Sequence, residues 1–440
     1  MKNALFTFFL LATLSLQAQH SISGTFMPAK DYKWLIAYRL KPGTQNYVAD
    51  TAVQNGVFSL KIPENSLPGT YRLVYAVPQD EFYFDVIYNG KEDISLAFDT
   101  TNGISFIASE ENISYNSYIK EINSIEQQLI KFYKEGKTDE KIFENITGQL
   151  KEVQTAFDTK TDGLIAHQFI SANNPYIPTG YESIQNYVKH KKQNYFNSLD
   201  IKNPILQASS FLTDKIANYV FTALPLEPLT QQQTENVIQN NIRKVDYFIN
   251  GVEPTFKLHI FYTLWAQAAA STYNKTSDFI YYNYIKALAN ETKNQDILAK
   301  IELHNRLRFG AIAPEITWKD GDSVQKLSEM EDAENYALIF WSSSCSHCLR
   351  ELPALHSKLK NNESVRVVAI GLEDEDSIWK QESSRMPHFE HVIALGKWES
   401  EYAKLYDIHQ TPTYFILDKD KRIIAKPEDD VSVIKFLESN

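Results

Sequence analysis

The only two cysteines of this 440-residue chain stand three residues apart, at Cys345 and Cys348, where a strand-like run meets a helix-like one. Before them comes the apolar stretch NYALIFW, then Ser342, Ser343 and Ser344; after them the run CSHCLRELPALHSKLK continues with apolar residues three and four apart. A short continuous apolar run bounded by turn residues reads as a strand buried on both faces, and the 3.6-residue period reads as an amphipathic helix. The same alternation goes on through VRVVAIGL, DSIWKQES, TPTYFILD, RIIAKP and VSVIKFLES. Strands alternating with helices predict an α/β layer fold for residues 306–440.

The spacing also predicts chemistry. A bridge between residues three apart closes almost no loop and so stabilises a fold little. An exported protein that used disulfides as staples would scatter its cysteines. The turn places Cys345 at a helix N-terminus, where unpaired backbone N–H groups and the helix dipole favour an anion. A thiolate is that anion, and it is the attacking species in disulfide exchange. Cys348, one turn deeper, is placed to resolve a mixed disulfide. His347 between them would stabilise the thiolate further if protonated and facing it, and has little effect if it faces solvent. Half a zinc site is a poor alternative, because no second C-x-x-C or H-x-x-x-H supplies the remaining ligands. A purely structural disulfide is disfavoured by the short loop. A peroxidatic cysteine would want proline at Leu338, although Ser342 fits that pattern.

Two motifs carry a family resemblance. Residues 340–348 (FWSSSCSHC) resemble the strand-to-helix turn of thioredoxins. Ile408, Thr411, Pro412 and Thr413, followed by the apolar run to Asp418, resemble the later T-P-T segment of that fold. The opening Ala313-Pro314-Glu315-Ile316 and the Glu351-x-Pro353 after the second cysteine are similar to the TlpA/ResA-like envelope branch. This resemblance implies a thioredoxin-like fold and a thiol:disulfide oxidoreductase activity with Cys345 and Cys348 as its redox-active pair. It implies a cis bond at Pro412, which turns the Thr411 backbone towards the cysteines to receive substrate, with Trp341 also against the substrate. It gives Glu351 a part in proton transfer; the plainer alternative is an exposed first-turn glutamate. The buried aspartate of cytosolic thioredoxins is replaced by Ile339, the tryptophan before the first cysteine by Ser344, and the proline between the cysteines by His347. Those departures leave open whether the enzyme reduces substrates or works as an oxidase or isomerase. No cofactor or metal is implied. The expected partners are protein disulfide or dithiol substrates and a membrane or periplasmic redox partner. A non-catalytic binding protein on a thioredoxin scaffold is the alternative from another class.

Upstream the texture differs. Residues 19–110 hold seven β-branched or aromatic runs separated by Pro42-Gly43, Asn55-Gly56, Pro68-Gly69 and Asn89-Gly90, which predicts an antiparallel sandwich or barrel. Residues 111–305 turn helical, with prolines dividing them into six to eight helices. The two regions resemble the β-sandwich of unknown function and the helical insert found ahead of such thioredoxins in Bacteroidetes. Tyr281, Tyr282 and Tyr284 are expected in a core or interface, and His167, His190, His259 and His304 are isolated. The acidic run 373–376 (EDED) reads as a solvated loop. Residues 1–18 read as a signal peptide, with Lys2 before a short apolar run and small Ala18 near its end, and no cysteine follows for lipid attachment. An exported, periplasmic or envelope-facing protein is therefore expected. A net charge of −11 argues against nucleic acid as a partner.

Overall fold

Along β1 (Ser21–Met27), β2 (Trp34–Lys41) and β4 (Val57–Lys61), buried residues recur on one side, as a sheet with one covered face requires, while the edge strand β3 (Thr44–Ala52) buries no residue. With β5 (Gly69–Val74), β6 (Tyr83–Tyr88), β7 (Ile94–Asp99) and β8 (Gly103–Ala108) they form two four-stranded sheets, ordered β4-β1-β7-β8 and β3-β2-β5-β6. Leu60 and Leu96 from the first sheet share one core with Leu35 and Leu73 from the second. The computed structural model describes residues 20–29, 32–321 and 323–439. The expected signal peptide, residues 1–18, lies outside the described residues.

Two features of these sheets depart from expectation. β1 pairs with β7 in parallel, so the sheets are not purely antiparallel. β8 is an eighth strand beyond the seven runs; it lies on a sheet edge and buries little, which weakens its alternation. At Asn55-Gly56 both residues have positive φ, 49° and 77°, as a tight mirror-type turn demands. The turn closes the bridge between Gln54 and Val57, yet β3 and β4 go on into different sheets.

The helices that follow pack by their apolar stripes. On Glu110–Lys134 the buried residues Tyr118, Ile122, Ile125, Leu129 and Phe132 recur at three and four, facing Phe143, Leu150 and Phe157 of Glu140–Lys160. Ser109 and Asp139 cap the two N-termini. Helices outnumber the expected six to eight, because runs as short as Ala166–Ala172 and Pro204–Gln207 are below the length at which a period can be read. Tyr281 is buried and the Tyr284 ring stacks on Phe261 at 4.2 Å, while Tyr282 is exposed. The two sheets and the helices after them make one compact unit that ends at Lys293, and the described residues from Asn294 on make another, so the helix Gln295–Leu307 belongs with the C-terminal unit.

In that second unit, the hairpin of β9 (Thr317–Asp320) and β10 (Ser323–Lys326) precedes a five-stranded sheet. The sheet is built from β11 (Asn335–Trp341), β12 (Val365–Glu373), β13 (Glu390–Leu395), β14 (Thr413–Asp418) and β15 (Ile423–Ala425), in the order β13-β12-β11-β14-β15. β11, β12 and β13 run parallel, and β14 runs antiparallel to β11. Tyr336, Leu338 and Phe340 of β11 enter one core with Trp318 and Tyr406; Ala337, Ile339 and Trp341 enter the other with Leu352, Leu355 and Val433. Both faces are covered, which is why the strand is apolar from Ala337 to Trp341. Among the described residues no helix is long and apolar enough to cross a membrane.

Candidate active site

β11 ends at Trp341, and the chain turns through the three serines into the helix Ser346–Leu359. Cys345 is the N-cap residue of that helix, with extended backbone angles of −92° and 116°. Its sulfur donates to the carbonyl of Thr411 at 3.3 Å, and the Thr411–Pro412 bond is cis. Three residues on, the Cys348 side chain is fully buried among Trp341, Leu352 and Tyr414. Both thiols are free.

The two sulfurs differ in acidity for physical reasons. Burial pushes the Cys345 thiol up, but the backbone N–H of Cys348, the Cys348 thiol, Thr411 and the backbone N–H of His347 together bring it below its ordinary value. Neither N–H makes a linear cap hydrogen bond to the sulfur, so their dipoles act through the field at the helix end. Cys348 is pushed up to about 12, first by burial and then by its neighbour's sulfur. One thiol is thus prepared to ionise and the other to keep its proton.

Glu351 lies one turn along the helix and is largely buried, its side chain 15% exposed. One oxygen accepts from the Tyr414 hydroxyl at 3.0 Å and the other from Arg350 at 3.3 Å. Burial and the Glu351 carboxylate together hold the Tyr414 phenol far above its usual range, and Cys348 adds to that effect. Tyr414 pairs in register with Ile339 on β11, so this phenol comes from the strand beside the one that leads into the cysteines.

Three expectations need correction. Trp341 has no exposed surface, because β11 is the central strand and is covered on both faces, so it cannot touch a substrate. The His347 side chain is 66% exposed and accepts from Arg350 at 3.2 Å; its effect on Cys345 passes through its backbone N–H. Glu373 is not part of a solvated loop. It is the last residue of β12, is buried, and accepts hydrogen bonds from the Ser343 N–H at 2.5 Å and the Ser342 hydroxyl at 3.4 Å. That carboxylate pins the serine loop that presents Cys345. Asp374 does face solvent, paired with Lys397 at 2.7 Å. Tyr414 and Glu373 are the site residues the sequence reading missed; an acid directly closing a buried strand was the available signal for Glu373. Among the described residues no group of three or more His, Cys, Asp or Glu could hold a metal ion.

Residues 334–423 match the model of a thioredoxin-like family. Among solved structures, the chain is similar to the thioredoxin domain of a thiol-disulfide oxidoreductase from Bacteroides vulgatus, at 21% identity over 30% of this chain and 97% of that one, with a TM-score of 0.27. A domain of a possible thiol-disulfide isomerase from Cytophaga hutchinsonii matches at 29% identity over 30% and 92% of the two chains, with a TM-score of 0.27. A thioredoxin-like protein from Bacteroides caccae matches at 17% identity over 60% and 97%, with a TM-score of 0.32. No curated protein matches the sequence.

Proposed function

Taking residues 334–423 as a thioredoxin-like domain, we propose that the chain is an exported thiol–disulfide oxidoreductase that exchanges disulfides with protein substrates through Cys345 and Cys348. The observation that carries this reading is the asymmetry of the pair: an acidic, partly exposed sulfur at a helix N-terminus in front of a buried one that holds its proton. The Cys345 thiolate attacks one sulfur of a substrate disulfide. A mixed disulfide forms and the first substrate sulfur leaves as a thiolate, which takes a proton from water. Cys348 then gives up its proton and attacks the Cys345 sulfur; the second substrate sulfur leaves, and the protein pair is oxidised by the two electrons the substrate has gained. Burial keeps Cys348 protonated until its attack, and the Tyr414–Glu351 pair beside it is the proposed route for its proton.

The Thr411 carbonyl, which holds the Cys345 thiol in the free protein, becomes an acceptor for a substrate backbone N–H once that sulfur is engaged. Pro412 shapes this loop, and Glu373 positions Cys345 from behind. No step calls for a metal or an organic cofactor. The chain has no third cysteine to relay electrons, so a membrane or periplasmic thiol–disulfide partner regenerates the pair. Export rests on the signal-like residues 1–18. We assign the reducing direction, since with the His347 side chain turned to solvent the argument for an oxidase from its charge is lost. Insulin reduction with dithiothreitol tests the activity: wild type accelerates precipitation and Cys345→Ala does not, whereas equal rates would leave a binding protein on this scaffold. A reduction potential well above that of thioredoxin would reverse the assigned direction.

A further inference from the structure

The first unit holds a cavity that the thiol chemistry does not use. Its volume is about 480 Å³, within the roughly 300–1,000 Å³ of small-molecule sites. Ile104 and Phe106 from β8, Val86 from β6, and Phe169 and Phe211 from the helices give it an apolar wall. β6 and β8 are edge strands of the two sheets. At Ile87 the open edge of β6 is closed by one side chain: the Asn112 amide donates to the Ile87 carbonyl at 2.7 Å and accepts from its N–H at 2.8 Å. The amide stands where a neighbouring strand would pair, so this edge is protected from pairing at that point.

Polar residues line the same space, and among them Tyr115, Asp85, Asp214 and Lys215 carry the titratable groups that bear on a ligand. Tyr115 lies near enough to Asp214 to feel its charge. Among the described residues Asp214 has no ion pair or hydrogen bond through its carboxylate, and the nearby Arg72 is committed to Asp85 by two bonds of 2.9 Å. Lys215 reaches no carboxylate either. Its ammonium donates to the Asn173 side chain at 3.1 Å and lies 5.0 Å from the ring centre of Tyr195. Burial brings its pKa down to about 8, against the opposing charge of Glu126, which makes no ion pair with it. Adjacent positions on a helix do not face one another, so Asp214 and Lys215 cannot neutralise each other. A partly buried anion and a partly buried cation that make no direct ion pair among the described residues, beside an apolar wall, suit a ligand that brings both charges itself.

We propose that this cavity binds a small zwitterion with an apolar side chain, of amino-acid or dipeptide size. The ligand's ammonium sits on Asp214 and the Tyr115 hydroxyl, its carboxylate on Lys215, and its side chain against Phe106, Phe169 and Phe211. The site lies wholly in the first unit and does not depend on the state of the cysteines.

Calorimetric titration of the full-length mature chain with phenylalanyl-leucine tests this, alongside phenylalanine, N-acetylphenylalanine and phenylalaninamide. A free zwitterion binds saturably with one site, and blocking either charge weakens binding roughly ten- to a hundredfold. Asp214→Asn removes the preference for a free amine, and Lys215→Met removes the preference for a free carboxylate. The same affinities are expected in Cys345→Ala, which separates this site from the thiol chemistry. Failure of every zwitterion to saturate, or equal affinity for blocked and free forms in the wild type, overturns the proposal even if the Lys215 variant does not fold.

Discussion

The difference between the two thiols can be worked into a rate. At about pH 8, a thiol whose pKa is about 12, as for Cys348, is ionised in roughly one molecule in 10⁴. A thiol below the ordinary value of 9.0, as for Cys345, is ionised in more than about a tenth of molecules. Ionisation alone therefore favours alkylation of Cys345 by at least about a thousandfold. Nucleophilicity works the other way, since a more basic thiolate attacks faster; a Brønsted slope of about 0.4–0.5 over three units returns roughly 15- to 30-fold to Cys348. The balance still favours Cys345 by roughly thirtyfold or more, before the full burial of Cys348 slows it again. The assay is limited alkylation of the reduced protein with iodoacetamide, with fragmentation mass spectrometry to locate the label within the shared tryptic peptide. Cys348 should remain largely unlabelled until Cys345 is consumed. Labelling of the two at rates within a factor of three would refute both the capping argument for Cys345 and the burial argument for Cys348.

Other outcomes follow from the same contacts. Glu373→Ala leaves the buried Ser343 N–H without its acceptor and should cost about 1–3 kcal/mol, seen as a lowered Tm and slower insulin reduction. Asp374→Ala, at a solvent-exposed pair, should leave the Tm nearly unchanged, and equal losses at the two positions would contradict the distinction between them. Gly24→Ala places a Cβ 2.4 Å from the Leu96 carbonyl oxygen on the neighbouring strand; overpacking of about 1–3 kcal/mol is expected by denaturant titration, and an unchanged midpoint would show that β1 and β7 can part. The raised Cys348 pKa gives a signed pH effect: the folded state holds this proton more tightly than the unfolded state, so the contribution is full below pH 9.0 and is lost as pH climbs towards about 12. Its size is on the order of 4 kcal/mol at most, and Cys348→Ala should flatten stability against pH over that window; an identical slope in the variant would show that the titrating group lies elsewhere.

The parts of this site that were legible in the sequence are those built within a few residues. A three-residue cysteine spacing after an apolar strand is enough to put one sulfur at a helix end and the other a turn inside it, because strand, turn and helix geometry are local. What the sequence hid are contacts made across the sheet. Tyr414 meets Glu351 across 63 residues, and Cys345 meets Thr411 across 66. The T-P-T resemblance pointed to the second pair, but nothing pointed to the first, since a tyrosine in an apolar run has the same spacing whether or not its hydroxyl finds a carboxylate. Glu373 and Trp341 make the same point from opposite sides. The EDED run looks uniformly solvated, yet its first acid is drawn inside because the serine loop has a backbone N–H that burial would otherwise leave unpaired. Trp341, next to the loop in sequence, looks available to a substrate, yet strand alternation turns it into the core against Leu352 and Leu355. Position beside a reactive cysteine therefore says little about which residues serve it; the direction of each side chain across the sheet decides, and that direction is set by strand register rather than by distance along the chain.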